Sequence, residues 1–312
     1  MSPSSNEFRH NVIALVYDFD GTLTPLPMQE YTILPEIGIT KGSVFWDQVK
    51  EESKQTGGEQ IVTYMRLMLE MSRNQKFAVK RENLHSLATR IQYFHGVEQY
   101  FSRINQFITD QFDDTVELRH YIIYAGQKEI IEGTTIADNF HKIFASEYYY
   151  DEYGAAIFPN VIVNDTLKTQ FIFRINKGME DMHENINEHM PHSLRSIPFQ
   201  NILYIGDGLT DVPCMTVIRK SGGYAIAVFK EGDNKGLDVC KDLLNAKRVD
   251  FIAKADYSEN SELDELIKLL LFNIVEGVRY HKKCYEQAVK YFPNNKEPEN
   301  GDAQNSKTTS CE

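Results

Sequence analysis

The sequence predicts an α/β protein in which an open parallel sheet carries a mainly helical insertion after its first strand. Short apolar segments alternate with helical or loop segments, as in proteins whose sheet is buried on both faces. Between the first two of these segments, apolar residues recur at helical spacing over residues 45–112. The segments that we interpret as buried strands cover residues 12–17, 117–126, 201–208, 223–229 and 249–255.

These elements predict a two-part chain with a tail at each end. The last twenty residues have almost no apolar content, which is typical of a disordered segment. The predicted parts are an N-terminal tail at 1–11, a sheet-containing core at 12–28 and 115–292, a helical cap at 29–114 and a disordered tail at 293–312.

Three elements of the core need separate interpretation. The segments "SEYYYDEYGAAIF", "NVIVND" and "TQFIFRI" alternate with turn residues and predict a β-ribbon or a short antiparallel excursion. The segment "MEDMHENINEHM" is interpreted as a helix. Ser261, three residues before Asp264, resembles a capping box that opens the last long helix.

Composition excludes several classes of function. The chain of 312 residues has 33 Lys and Arg against 45 Asp and Glu, a formal net charge of −12, so nucleic acid is not an expected partner. Its four cysteines are widely spaced and give no zinc signature. No apolar run approaches membrane-spanning length, and we expect a cytoplasmic protein that does not bind membranes. The oligomeric state is not visible in the sequence.

Acidic residues follow two of the predicted strands. Asp18 and Asp20 come directly after the first strand, Asp207 lies at the end of the strand at 201–208, and Asp211 follows that strand. The carboxyl ends of parallel strands are where such sheets bind ligands. Two adjacent carboxylates are unfavourable unless a cation lies between them or one holds a proton, and either solution suits phosphoryl transfer.

This arrangement assigns a chemical role to each residue. Asp18 would attack phosphorus and form an aspartyl-phosphate, while Asp20 would protonate the leaving oxygen and later deprotonate water. Asp207 would complete an all-oxygen Mg²⁺ site with Asp18 and Asp20, and Asp211 would reach the same metal or orient its ligands. Lys177 would neutralise charge on the phosphoryl oxygens, with Lys168 as a nearby rival.

Most of residues 12–280 resembles the haloacid dehalogenase superfamily. The first family motif, DxDGT, is matched by the segment from Asp18 to Thr22, and the fourth by "YIGDGLTDVP" with its two aspartates. The third motif, a lysine, is best matched by Lys177. The resemblance implies a Rossmann-like core, magnesium and a cap between the first two motifs. The acidic Asp20 is similar to the residue that distinguishes the phosphatases and phosphomutases from the dehalogenases.

The second family motif departs from the pattern. The family ends this strand with Ser or Thr, whose hydroxyl binds a phosphoryl oxygen, whereas this chain has Tyr124 followed by Ala125. A tyrosine hydroxyl lies farther from its backbone and cannot simply substitute. The Tyr124 hydroxyl could overhang the pocket, reach a substrate group or fill the space where the phosphate would bind, and the Ala125 amide remains a phosphate-binding donor.

The sequence therefore predicts a Mg²⁺-dependent phosphatase that hydrolyses a small phosphorylated metabolite. Two alternatives stay open. In a phosphomutase, Asp18 would return the phosphoryl group to the substrate. In a catalytically impaired binding protein, Tyr124 would have replaced the hydroxyl that the reaction requires.

Overall fold

The computed structural model describes residues 8–75, 77–112 and 116–292, and its centre is a seven-stranded sheet of order β4-β3-β2-β1-β5-β6-β7. All neighbouring strands are parallel except β3 and β4, which are antiparallel. The predicted α/β class is confirmed. The strands are β1 Val12–Tyr17, β2 Glu117–Gln127, β3 Phe140–Tyr150, β4 Ala156–Val161, β5 Ile202–Gly206, β6 Tyr224–Phe229 and β7 Phe251–Lys254.

Strand β1 lies at the middle of the sheet. All six of its residues are buried, and they alternate between two apolar clusters, with Leu15 and Tyr17 on one face and Ala14 and Val16 on the other. A strand covered on both faces requires the continuous apolar sequence seen here. Strand β5 ends beside it at Gly206, just after the pairing of Tyr17 with Ile205, whereas β2 pairs Ile122 with Tyr17 and continues to Gln127.

Helices cover both faces of the sheet and form the insertion after β1. Ser261 caps the last helix, since its Oγ accepts a hydrogen bond from the Asp264 amide at 3.2 Å. Among the described residues, no helix combines the length and the apolar character that crossing a membrane requires. The helices are α1 Met28–Tyr31, α2 Ile33–Glu36, α3 Gly42–Thr56, α4 Gln60–Asn74, α5 Arg81–Leu87, α6 Val97–Phe112, α7 Lys128–Glu132, α8 Lys168–Lys177, α9 Val212–Lys220, α10 Asn234–Asn245 and α11 Glu262–Tyr291.

The insertion contacts the sheet at several places, including a hydrogen bond from the Ala156 amide of β4 to the Val79 carbonyl at 2.8 Å. Helix α4 lies across the carboxyl ends of β2 and β3, where the Tyr64 hydroxyl donates to the Ala125 carbonyl at 2.9 Å. The hydroxyl of Tyr148, in β3, donates to the Met65 carbonyl of α4 at 3.0 Å. Helix α6 packs beside β1, where the hydroxyls of Tyr100 and Tyr17 are 3.0 Å apart. The predicted cap boundaries at 29 and 114 remain a prediction, as do the two tails, most of which lie outside the described residues.

Two predicted elements of the core are wrong. The segment "TQFIFRI" belongs to helix α8 and not to a strand, and the segment 179–190 contains turns and no helix. The buried guanidinium of Arg174 explains the second error, because it donates to the carbonyls of Met179 at 3.1 Å and Asp181 at 2.7 Å. Carbonyls turned toward that guanidinium cannot form the regular bonds of a helix. The predicted antiparallel excursion is confirmed for β3 and β4.

Candidate active site

The candidate site lies beyond the carboxyl ends of β1 and β5. Asp18 follows β1 and is buried, and its amide donates to the carbonyl of Ile205 at 3.0 Å. Asp207 and Asp211 follow β5, and Asp211 is fully buried. The structure therefore brings together acidic residues that are almost two hundred positions apart in the chain, as the sheet topology predicted.

Lys168, the first residue of α8, neutralises part of this charge. Its Nζ donates to Oδ1 of Asp18 and to Oδ1 of Asp211, both at 2.8 Å, and only 1% of the residue is exposed. The Tyr204 hydroxyl also donates to Asp211, at 2.7 Å. Burial alone would lower the pKa of the Lys168 ammonium, but the two carboxylates outweigh burial and raise that pKa. The side chain is therefore a fixed positive charge beside Asp18.

Lys177 does not reach the site, and this corrects the prediction from the sequence. Its Nζ donates instead to the carbonyls of Ile186 at 2.6 Å and Glu188 at 2.7 Å. The spacing of α8 explains the difference, because Lys168 precedes the buried Phe171 by three residues and the buried Ile175 by seven. Residues at these intervals share one face of a helix. That signal was present in the sequence but could be used only once the segment was interpreted as a helix.

Three aspartates form a group that could hold a metal ion. Carboxylate oxygens of Asp18, Asp207 and Asp211 all lie within 4.8 Å of one another. Within the described part of the chain, the Asp207 carboxylate has no hydrogen-bond partner, and burial and then the charge of Asp18 raise its pKa well above the ordinary value. Gly21 has φ +73°, and a Cβ there would overlap Oδ2 of Asp207. An unpartnered carboxylate among acidic neighbours fits a hard divalent cation such as Mg²⁺.

Asp20 is not part of this group, so the structure does not support its carboxylate as a metal ligand. Its Oδ2 accepts a hydrogen bond from the Tyr124 hydroxyl, and its Oδ1 accepts from the Met28 amide at 2.9 Å and from Oγ1 of Thr24 at 3.4 Å. Burial raises the pKa of Asp20 to about 8, although the hydrogen bond from Tyr124 opposes the rise. Asp20 is thus held separately from the aspartates around Lys168.

The Tyr124 side chain turns toward Asp20 because Gly126 leaves it room. A Cβ at Gly126 would overlap the Tyr124 ring. The hydroxyl is therefore committed to Asp20, which the sequence did not predict. Ala125, the other residue predicted to bind phosphate, uses its carbonyl to accept hydrogen bonds from Tyr64 at 2.9 Å and from Ser146 at 2.8 Å. Phosphate binding by the Ala125 amide remains a prediction.

Asp18 is almost fully buried, and its Oδ1 pairs with the Lys168 ammonium at 2.8 Å. Burial raises its pKa to about 7, and the adjacent Lys168 ammonium opposes the rise. A buried carboxylate with one fixed counterion, beside an unpartnered Asp207, is a local environment that suits an attacking nucleophile and a phosphoryl group.

No protein-family model matches the chain. A Borreliella burgdorferi protein, described as uncharacterized, is 30% identical over 279 residues, which cover 82% of this chain and 95% of that protein. The chain belongs to the same family as this Borreliella protein.

Solved structures identify the fold. A hydrolase of the haloacid dehalogenase family from Salmonella enterica serovar Typhi is 14% identical with a TM-score of 0.50, covering 78% of this chain and 67% of its own. A phosphoserine phosphatase, solved as a phospho-aspartyl intermediate analogue, is 14% identical with a TM-score of 0.50. The match covers 82% of this chain and 98% of the phosphatase. A probable phosphoserine phosphatase from Vibrio cholerae is 10% identical with a TM-score of 0.50. The match covers 89% of this chain and 68% of the Vibrio protein. The chain has the haloacid dehalogenase fold.

Proposed function

We propose that the protein is a Mg²⁺-dependent phosphatase that acts on a small phosphorylated substrate through an aspartyl-phosphate on Asp18. The observation that carries this proposal is the contact of Lys168 with Asp18 and Asp211, at 2.8 Å each, while Asp20 is held separately two residues after Asp18. Asp18 is then a nucleophile with Lys168 as its fixed counterion, and Asp20 is a second carboxyl for proton transfer.

The reaction proceeds in two displacements. In the first, a carboxylate oxygen of Asp18 forms a bond to phosphorus, the bond from phosphorus to the leaving oxygen breaks, and Asp20 gives its proton to that oxygen. In the second, Asp20 takes a proton from water, the water oxygen bonds to phosphorus, and the bond to Asp18 breaks, which releases phosphate. Lys168 keeps the Asp18 carboxylate oriented and offsets negative charge in both steps.

Asp18 and Asp207 would hold the Mg²⁺, with Asp211 held beside them by Lys168 and Tyr204. The ion supplies positive charge close to the phosphoryl oxygens when it is bound. Asp207 has no hydrogen-bond partner among the described residues, so its carboxylate is available as a ligand without breaking an existing contact.

Phosphate release tests the proposal. The purified protein is incubated with Mg²⁺ and an activated aryl phosphate, and inorganic phosphate is measured for the parent and for Asp18→Asn. We expect hydrolysis by the parent and a loss of at least about a thousandfold in the variant, since the nucleophile is removed. Lys168→Met should lose activity comparably, whereas the matched control Lys177→Met should retain it. A parent without hydrolytic activity refutes the proposal.

One observation favours the impaired binding protein as a second candidate. The Tyr124 hydroxyl occupies Oδ2 of Asp20, and three donors in total contact that carboxyl. Donors of this kind stabilise the ionised form, which cannot protonate a leaving group. The candidates separate in one experiment, because a phosphatase forms a beryllium fluoride adduct on Asp18 and the binding protein does not.

A further inference from the structure

Glu30 lies close to the group that holds the proposed acid. Helix α1 begins at Met28, whose amide binds Oδ1 of Asp20 at 2.9 Å, and Glu30 follows two residues later. Oε1 of Glu30 accepts a hydrogen bond from Nε1 of Trp46 at 3.2 Å. Gly42, at the start of α3, leaves room for the Glu30 carboxylate, since a Cβ there would overlap it. The carboxylate is therefore fixed in position beside an indole ring.

Tyr31 links Glu30 to the proposed acid. Burial, then the charge of Asp20, and then the charge of Glu30 raise the pKa of Tyr31 to about 12. The charges of both carboxylates therefore act on the same phenol group. Asp20, Glu30, Tyr31 and Trp46 are each partly exposed.

Two aromatic rings connect Glu30 with the end of strand β2, where Tyr124 and Ala125 lie. The Trp46 ring contacts the ring of Tyr64 edge to face, with centroids 5.7 Å apart. The Tyr64 hydroxyl then donates to the Ala125 carbonyl at 2.9 Å. The partly exposed Trp46 indole and the Glu30 carboxylate therefore lie together near Asp20, with the buried Tyr64 ring behind the indole. Such a combination binds organic cations, because ring faces and a carboxylate both attract positive charge.

The charges of the site select against an anionic leaving group. Lys168 is already paired with Asp18 and Asp211. In the part of the chain that the structure describes, no Lys or Arg forms an ion pair with Glu30 or a hydrogen bond with Tyr31 or Trp46. A second phosphate or a carboxylate on the substrate would face Glu30 without a counterion. A neutral group would gain little there, whereas an ammonium group would pair with it.

We infer that the substrate is a phosphate ester of an amino alcohol, whose positive charge binds against Glu30 and the ring of Trp46. This inference rests on the proposed phosphatase function and specifies its substrate class. The phosphate would face Asp18 and Lys168, and the leaving oxygen would face Asp20. Helix α1 carries both Met28, which binds Asp20, and Glu30. The ammonium group of the substrate would therefore lie on the opposite side of the leaving oxygen from the phosphate.

Three esters of nearly equal size test the inference. They are 2-aminoethyl phosphate, 2-hydroxyethyl phosphate and phosphoglycolate, which differ in one terminal group that is cationic, neutral or anionic. We expect the parent to have a kcat/KM about tenfold higher for the aminoethyl than for the hydroxyethyl ester, which corresponds to about 1.4 kcal/mol. Phosphoglycolate should be the poorest of the three.

Two variants test whether Glu30 causes the preference for the aminoethyl ester. Glu30→Gln should reduce the aminoethyl-to-hydroxyethyl ratio of kcat/KM by about tenfold, because the amide keeps the shape and removes the charge. Glu51→Gln, which removes an exposed charge from α3, should leave the ratio unchanged and serves as the matched control. The selectivity of the parent needs no variant and tests the inference even where Glu30→Gln does not fold.

The outcomes separate this inference from the proposed function. If the parent does not hydrolyse an activated aryl phosphate, the phosphatase function fails. If it hydrolyses the aryl phosphate in a reaction that requires Asp18 but does not prefer the aminoethyl ester, the phosphatase function stands and the inference is overturned. A preference that persists unchanged in a folded Glu30→Gln variant also overturns the assignment to Glu30.

Discussion

Replacing Lys168 by Met should destabilise the protein in a way that depends on pH. Met has a similar length but no charge, so the variant leaves Asp18 and Asp211 buried without their ammonium partner. Lys168 contacts both carboxylates at 2.8 Å and is 1% exposed, which means that water cannot take its place without rearrangement. Removing one partner of a buried ion pair typically costs about 3–5 kcal/mol of unfolding free energy.

The sign of the pH dependence follows from the protons that the folded state would bind. The pKa of Asp18, already raised to about 7 by burial, loses the opposing contribution of Lys168 and rises further in the variant. The folded variant then binds more protons than the unfolded chain, so its stability falls as pH rises, by about 1.4 kcal/mol per pH unit for each additional proton. Because Asp18 of the parent also keeps its proton below about pH 7, the loss of stability in the variant should be nearly constant below that pH and larger at pH 8 than at pH 5, by about 1.4 kcal/mol.

Chemical denaturation at pH 5 and pH 8, with a chelator present, measures this difference. Lys177→Met is the control, because it removes an ammonium that contacts only the carbonyls of Ile186 and Glu188. Its loss of stability should be equal at the two pH values. A Lys168→Met loss that is also equal at both values would refute the reasoning, since it would mean that the carboxylates do not depend on this ammonium.

Three further predictions concern the surroundings of the site. Tyr124→Phe removes a donor from Asp20 and should shift the alkaline limb of the pH–rate profile upward by about one pH unit, because the hydrogen bond lowers the pKa of Asp20; an unchanged limb would contradict this. Gly21→Ala would crowd Oδ2 of Asp207 and strain a backbone at φ +73°, and should weaken Mg²⁺ binding about tenfold in calorimetric titrations; equal affinity would show that Asp207 is not a ligand. Burial lowers the pKa of His120 to about 3, so stability should fall as pH drops below about 6.5, by about 2 kcal/mol at pH 5. His120→Gln should lack that part of the pH dependence in denaturation experiments, and an identical dependence would contradict the burial argument.

The sheet was predictable where burial leaves an unambiguous pattern. Strand β1 is apolar at every position because both of its faces are covered, and its sequence "VIALVY" carries that information directly. The pattern of residues 169–175 predicts a strand because Phe171, Ile172 and Phe173 are strand-forming residues in a short run. The buried Lys168, Phe171 and Ile175 instead share one face of α8, a spacing that is weak in so short a segment.

The site was predictable to the extent that its residues are neighbours in sequence. Asp18 and Asp20 share one turn, and the aspartates after β5 share another, so their proximity follows from local structure. Two contacts required side-chain directions that no motif contains: the bond from Tyr124 to Asp20 and the approach of Glu30 to Trp46. Both depend on space left by a glycine elsewhere in the chain.

The central position of β1 has a consequence for synthesis of the protein on the ribosome. Lys168 and Asp18, which are in contact, are 150 residues apart in the sequence. The amide of Asp18 donates to the carbonyl of Ile205, so this hydrogen bond can form only after Ile205 has been synthesised. While the chain emerges, β2 can cover one edge of β1, but the other edge stays unpaired until β5 is made. Unpaired apolar edges promote aggregation of incomplete chains. We expect nascent chains that end before residue 200 to require chaperone protection, so the residue proposed as the nucleophile, although made early, would acquire its surroundings late.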